Sequence, residues 1–214
     1  MKAHFRIIGD VHSRADRYLA LADGAEYSIQ VGDMGFDYGF LRGADPARHR
    51  FIGGNHDNYD RIGGCAHHLG DFGIWPVPGL GELFFVRGGF SVDQAGRTEG
   101  VNWWRAEELS APQANLAFKS YSMAKPDIVV SHECPFGWLP NLVGSRVIRT
   151  RTNQMLQAML DAHAPGLWAF GHFHMSVRMR LGRTLMVCLD ELEALDFAAG
   201  QCGPPLRGGP SAAA

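Results

Sequence analysis

Gly171-His172-Phe173-His174 follows an apolar run, Gly166-Leu167-Trp168-Ala169-Phe170, that reads as a short buried strand. Residues two apart on a strand point to the same side. His172 and His174 are therefore expected to project together from the strand end into one pocket, a common way to hold a divalent transition metal. Alone the pair is a weak signal, because a His-x-His at a strand end also serves as a hydrogen-bonded surface pair. The rest of the chain supplies four more blocks of the same kind.

Residues 5–9 form an apolar run that ends at Asp10-Val11-His12. Residues 27–31 form a second, ending at Gly32-Asp33, and residues 48–53 a third, ending at Gly54-Asn55-His56-Asp57. Residues 127–130 lead into Ser131-His132-Glu133. Each block sits at the C-terminal end of an expected strand, the edge at which α/β sheets bind ligands. Asp and Asn are common turn formers after strands, but that reading does not explain five blocks of ligand-type side chains at one edge.

Between these strands the pattern is helical. Tyr18, Leu19, Leu21 and Ala22 form a stripe, with Ser13 the expected N-cap. Ser110-Ala111-Pro112-Gln113 has a capping-box form and starts a helix to about residue 123, which Lys125-Pro126 ends. Residues 152–163 carry Met155, Leu156, Met159 and Leu160 at helical spacing. Residues 75–79 read as a turn-rich link and 83–87 as a strand. Residues 88–104 and 134–151 read as irregular loops, and further strands are expected over 177–180, 184–190 and 192–197. Residues 1–198 are expected to form one domain, and 199–214, rich in Gly, Pro and Ala, a disordered tail.

The chain has 214 residues, enough for a substantial core, with 46% hydrophobic and 20% charged residues. Its formal net charge of -2 gives no argument for nucleic-acid or membrane binding. No run is long and apolar enough to span a bilayer, and the N-terminus lacks the apolar core of a signal peptide. Cys65, Cys134, Cys188 and Cys202 show no paired spacing. Reduced thiols in a cytoplasmic protein are expected.

Taken in order, D-x-H, G-D, G-N-H-D, H and G-H-x-H resemble the calcineurin-like metallophosphoesterase superfamily, in particular its small bacterial and phage members. The resemblance implies a four-layer α/β/β/α sandwich with a two-metal site at the C-terminal ends of the strands. Asp10, His12 and His174 would bind one metal, Asn55, His132 and His172 the other, and Asp33 would bridge them. His56 would face the scissile phosphate as general acid, with Asp57 a candidate catalytic partner that orients an imidazole. Two cations roughly 3.5–4 Å apart clamp phosphoryl oxygens and activate a bridging hydroxide as nucleophile. Mixed nitrogen and oxygen ligands suit Mn, with Fe, Zn, Co or Ni as alternatives, better than Ca.

The sequence departs from the phosphoprotein phosphatase branch, whose second block reads GDxxDRG. Here Phe36 and Asp37 stand at the Asp and Arg positions, and Asp57 stands where that branch has Glu. A protein phosphatase is therefore disfavoured. Ser91, Asp93, Arg97, Gly100 and Trp103-Trp104 also resemble a stretch in small superfamily members. Arg97 is a candidate substrate-binding residue as a bidentate phosphate donor, although a packed loop with Arg97 paired to Asp93 or Glu99 is the simpler reading. Arg146, Arg149 and Arg151 read as solvated surface. The expected activity is hydrolysis of a phosphomonoester or phosphodiester of a small molecule or nucleotide. A nuclease acting on DNA or RNA ends and a catalytically silent metal-binding scaffold are the alternatives.

Overall fold

A computed structural model of the chain describes residues 3–198. The expected tail, 199–214, lies outside the described residues. In chain order the elements are β1 (Ala3–Ile8), α1 (Ala15–Asp23), β2 (Ala25–Gln30), β3 (His49–Phe51), β4 (Phe72–Val77), β5 (Gly81–Val86), α2 (Ala111–Ala124), β6 (Ile128–Ser131), α3 (Pro140–Val143), α4 (Arg151–Ala162), β7 (Leu167–Phe170), β8 (Val177–Leu181), β9 (Thr184–Cys188) and β10 (Ala194–Phe197).

The strands form two sheets. One has the order β10-β1-β2-β3, with β1, β2 and β3 parallel and β10 antiparallel to β1. The other has the order β4-β5-β6-β7-β9-β8. Its inner strands β5, β6, β7 and β9 are parallel, and the flanking strands β4 and β8 are antiparallel to their neighbours.

Alternation along each strand sets the layers, because successive side chains face opposite sides of a sheet. Phe5, Ile7, Ile29 and Val31 of the smaller sheet pack against Leu83, Phe85, Ile128, Val130, Leu167 and Ala169 of the larger one. The outer face of the smaller sheet, with Ile8 and Phe51, takes Tyr18 and Ala22 of α1. The outer face of the larger sheet, with Phe84, Val129, Trp168 and Phe170, takes Ala117 and Tyr121 of α2 and Leu156 and Met159 of α4. The result is the expected α/β/β/α sandwich. Its central strands are covered on both faces, which is why they read as unbroken apolar runs.

Most expected elements are present with shifted ends. The capping box at Ser110 and Gln113 forms, and Lys125 ends α2 in the left-handed conformation. A second capping box, Thr150 with Asn153, starts α4 one residue earlier than expected. Two readings are corrected. Residues 75–77 belong to β4 rather than to a link, and Pro76 is tolerated there because β4 is an edge strand whose other side needs no ladder. Ser13 is not the cap of α1. Arg14 holds that position without a side-chain cap, and Ser13 sits at φ 63° in the turn before it. Residues 134–151 are less irregular than expected, with a helical turn at Phe136–Trp138 followed by α3.

Leu156 is fully buried between α4 and the larger sheet, whereas Met123 on α2 is 85% exposed. Leu156→Ala should cost about 2–5 kcal/mol in urea unfolding, and Met123→Ala less than about 0.5 kcal/mol. Equal effects would mean that the sandwich does not pack as described.

Candidate metal centre

All the parallel strands of both sheets run toward one edge, and their C-terminal ends deliver the site. Asp10 and His12 follow β1, Asp33 follows β2, Asn55 and His56 follow β3, His132 follows β6, and His172 and His174 follow β7. The loops are latched to one another. The amides of Val11 and His12 both donate to the Asp33 carbonyl (3.1 and 2.8 Å). The Gly171 amide donates to the His132 carbonyl (3.1 Å), and the His172 amide to Asp10 Oδ2 (2.9 Å).

These latches hold the backbone in conformations that side chains ordinarily avoid. His12, Asp33, His172 and His174 have φ of 47°, 60°, 69° and 49°. Left-handed non-glycine residues cost of order 1 kcal/mol or more each and persist only where the surroundings over-determine them, typically at functional sites. Gly171 is required for a different reason. A Cβ there would lie 2.0 Å from Asp10 Oδ1.

The side chains fall into two groups. In the first, one ligand atom each from Asp10, His12, Asp33 and His174 lie within 4.8 Å of one another. His12 Nε2 is 2.9 Å from His174 Nε2 and 3.7 Å from Asp33 Oδ2, and His174 Nε2 is 3.3 Å from Asp10 Oδ2. In the second, Asn55 Oδ1 is 3.0 Å from His132 Nε2 and 2.8 Å from His172 Nδ1. Asp33 Oδ1 is 3.3 Å from His132 Nε2. Asp33 thus lends one oxygen to each group.

The donor set fits a cation. His132 Nδ1 faces the Val31 carbonyl at 3.0 Å, which can only accept, so Nδ1 carries the proton and Nε2 presents a lone pair. Ser91 Oγ donates to Glu107 Oε2 (2.7 Å) and so accepts from Asn55 Nδ2 (3.2 Å), which turns Asn55 Oδ1 toward the site. Hence His132 Nε2, Asn55 Oδ1 and Asp33 Oδ1, all acceptors, face one another in a buried place. Asp10 Oδ1 is buried without any hydrogen-bond partner. Asp33 Oδ1 has one donor, the His56 amide (2.7 Å), but so many buried acceptors facing one another are costly, and a divalent cation satisfies them together. Burial pushes the Asp10 and Asp33 carboxyls up and the His132 imidazole down. It also brings His12 to about 4 and His172 to about 3. Every shift but one favours the neutral form. His174 is raised, chiefly by its hydrogen bond to Asp10.

His56 stands beside these groups, its ring centroid 5.1 Å from that of His12. Arg97 lies over it, with Nη2 2.8 Å from His56 Nε2. Arg97 also holds Asp93 through Nε (2.8 Å) and Nη2 (2.9 Å). The expected Arg97–Asp93 pair therefore forms, and it forms at the mouth of the site. Burial first and Arg97 second lower His56 to about 4, so its ring is neutral at physiological pH. Asp57 is placed differently from the expectation. Its carboxylate accepts from the amides of Gly54 (2.7 Å), Asp33 (2.9 Å) and Gly35 (3.2 Å) and from the Tyr38 hydroxyl (3.2 Å), and so fixes two loops rather than an imidazole.

Four further residues contribute outside the five blocks. Ser91 and Glu107 orient Asn55, joined by the Ser91 amide donating to Glu107 Oε1 (2.8 Å). Glu191, after β9, lies 3.6 Å from His174 Nδ1 and forms an ion pair with Arg14. Gly89 leaves room over the second group, since a Cβ there would sit 2.9 Å from His132 Cδ2 and 3.4 Å from His172 Nδ1. The position of Glu191 directly after a strand was the available signal. Ser91 belongs to the stretch singled out by its resemblance, though not for this role, and nothing local marks Glu107.

Comparison with known proteins agrees with this fold. No curated protein matches the sequence. Among solved structures the fold is similar to phosphopantetheinyl hydrolase (PptH) from Mycobacterium tuberculosis, at 12% identity and TM-score 0.51 over 89% of this chain and 90% of that one. It is also similar to a dimetal phosphatase from Danio rerio, at 11% identity and TM-score 0.51 over 89% and 88%. A putative 5′-nucleotidase from Staphylococcus aureus matches at 12% identity and TM-score 0.50 over 87% of this chain and 48% of that one. At these identities the likeness is one of fold. Residues 3–176, which contain every block described above, match the family model of the calcineurin-like phosphoesterases, and the chain belongs to that family.

Proposed function

We propose that the chain is a metal-dependent phosphoesterase that hydrolyses phosphomonoester or phosphodiester bonds of small molecules, nucleotides included. The observation that carries this reading is the Asp33 carboxylate, with Oδ2 facing His12 (3.7 Å) and Oδ1 facing His132 (3.3 Å). Asp10, His12 and His174 would hold one divalent cation, Asn55, His132 and His172 a second, and Asp33 both. Such a pair supplies charge neutralisation for phosphoryl oxygens and a lowered pKa for water between them. The nitrogen and oxygen donors suit Mn, Fe, Zn, Co or Ni. The free thiols of Cys65, Cys134 and Cys188 support a cytoplasmic setting.

The residues at the mouth of the site meet the ester. Arg97 presents a guanidinium suited to phosphate oxygens, with Asp93 holding it in place. His56 is neutral in the free protein. An arriving phosphate brings negative charge beside it and draws Arg97 toward the anion, and both effects raise the imidazole pKa. The proton for the leaving alkoxide then resides on His56 only when substrate is bound. Asp57 contributes by fixing the Gly32-Asp33 and Gly54-Asn55 turns.

Purified protein with Mn should hydrolyse nitrophenyl phosphate, bis-nitrophenyl phosphate or both, and chelator should abolish the activity. Asp33→Asn should lower it by more than about 100-fold, since even outer partners of metal ligands cost 10–100-fold when lost. Cleavage of the diester would establish a phosphodiesterase, and cleavage of the monoester alone a phosphatase. Two bound metals without hydrolysis of either ester would overturn the enzymatic reading in favour of a scaffold.

Ser91→Ala should weaken Mn binding, read by titration calorimetry, by about 10–100-fold, because Asn55 loses the acceptor that holds its amide nitrogen away from the site. Unchanged affinity would exclude Asn55 as a ligand held in this way.

A further inference from the structure

A cleft of about 80 Å³ opens beside His172. Two larger clefts, of about 780 and 450 Å³, touch none of the ligand-type residues. In the largest, Arg87, Arg105 and Arg151 are already engaged by Asp71, Glu99 and the Leu109 carbonyl. Of these three clefts the small one adjoins a candidate metal ligand, and its lining differs in kind.

Its walls are Phe90, Val92, Leu139, Val143, Ile148 and Phe173. Val92 is 71% and Ile148 47% exposed at its mouth, unusual exposure for large apolar side chains that flank a polar centre. Phe173 stands edge-on to His172, with ring centroids 4.8 Å apart at 84°. The buried polar members Glu133 and Thr150 are occupied by each other and by Asn153. Glu133, 3% exposed, accepts from Asn153 Nδ2 (2.9 Å) and Thr150 Oγ1 (3.3 Å). Those bonds tie α4 and the preceding loop to the end of β6, so the cleft has a fixed floor. Arg146 is the charged residue on the rim.

We propose that this cleft is the leaving-group subsite, and that the substrate is a phosphate ester of a compact apolar alcohol carrying a single aromatic ring or a branched alkyl group. The inference rests on the phosphoesterase reading and deepens it. His172 lines the cleft, and Phe90 and Glu133 beside it adjoin Gly89 and His132 of the second group, so the cleft opens next to that group. At about 80 Å³ the cleft is smaller than the roughly 150 Å³ of a cavity that encloses benzene, which suits one ring or branched alkyl group seated in part and open to solvent on one side. Its walls offer mainly dispersion contacts, with the Arg146 guanidinium on the rim the polar exception, which suits an apolar alcohol better than a polyol. Arg146 on the rim, with Glu133 already satisfied, disfavours a cationic alcohol such as a quaternary ammonium.

The test compares two non-hydrolysable probes, phenylphosphonate and methylphosphonate, on the full-length protein loaded with Mn, by calorimetry. Phenylphosphonate should bind at least tenfold more tightly. The variants Val92→Asp and Ile148→Asp, both at exposed positions, should each reduce the ratio of the two affinities at least threefold. Met123→Asp, at a still more exposed apolar position on α2, should keep the parent ratio. Equal affinities in the parent, or a ratio that survives in both cleft variants, would overturn the subsite while methylphosphonate binding leaves the phosphoesterase reading intact. Binding of neither phosphonate would overturn both.

Discussion

Asp33 is 1% exposed, and its two oxygens lie between two sets of imidazoles, Oδ2 toward His12 and Oδ1 toward His132. A carboxyl in that position is pushed up by burial and by the neighbouring charges of Asp10 and Asp57. It is held there by the His56 amide on Oδ1 (2.7 Å) and by its own carbonyl, which accepts from Val11 and His12. Around it the acceptors outnumber the donors. The arrangement is poor as a self-contained hydrogen-bond network and suitable as a cradle for positive charge. The loop latches and strained dihedrals follow from bringing so many donors to one place.

The sandwich makes that convergence possible. Two sheets with parallel central strands pack face to face, and their carboxyl ends meet at one edge. Short loops then suffice to carry ligand-type residues from both sheets to within hydrogen-bond distance of one another. The helices on the outer faces bury Trp168, Tyr121 and Tyr18, leaving the site edge free of covering elements. Stability lies in the two outer layers and the shared middle, and the chemistry lies at the rim.

The relation between sequence and site follows from how local each signal is. His172, His174, Asp10, His12 and Asp33 were legible because each directly follows an apolar strand, and the strand end dictates where such a side chain points. The stretch holding Ser91 was legible by resemblance, but its support of Asn55 was not, because Ser91 and Glu107 are separated by 16 residues and meet only through the tertiary fold. Asp57 looked like an imidazole partner from its place beside His56, yet the turn carries its carboxylate back onto amides. The protonation state of His56 depends on burial and on Arg97, 41 residues away, which no local pattern reports. In the fold, Trp75-Pro76-Val77 read as a turn because proline usually breaks strands. The edge position that tolerates it is a property of sheet order.

The most direct test is anomalous diffraction from crystals of the protein grown with Mn. Two peaks, roughly 3.5–4 Å apart and on either side of Asp33, are the expected result. One set should lie against Asp10, His12 and His174, and the other against Asn55, His132 and His172. A single peak not touching Asp33, or peaks on surface carboxylates with both groups empty, would contradict the account.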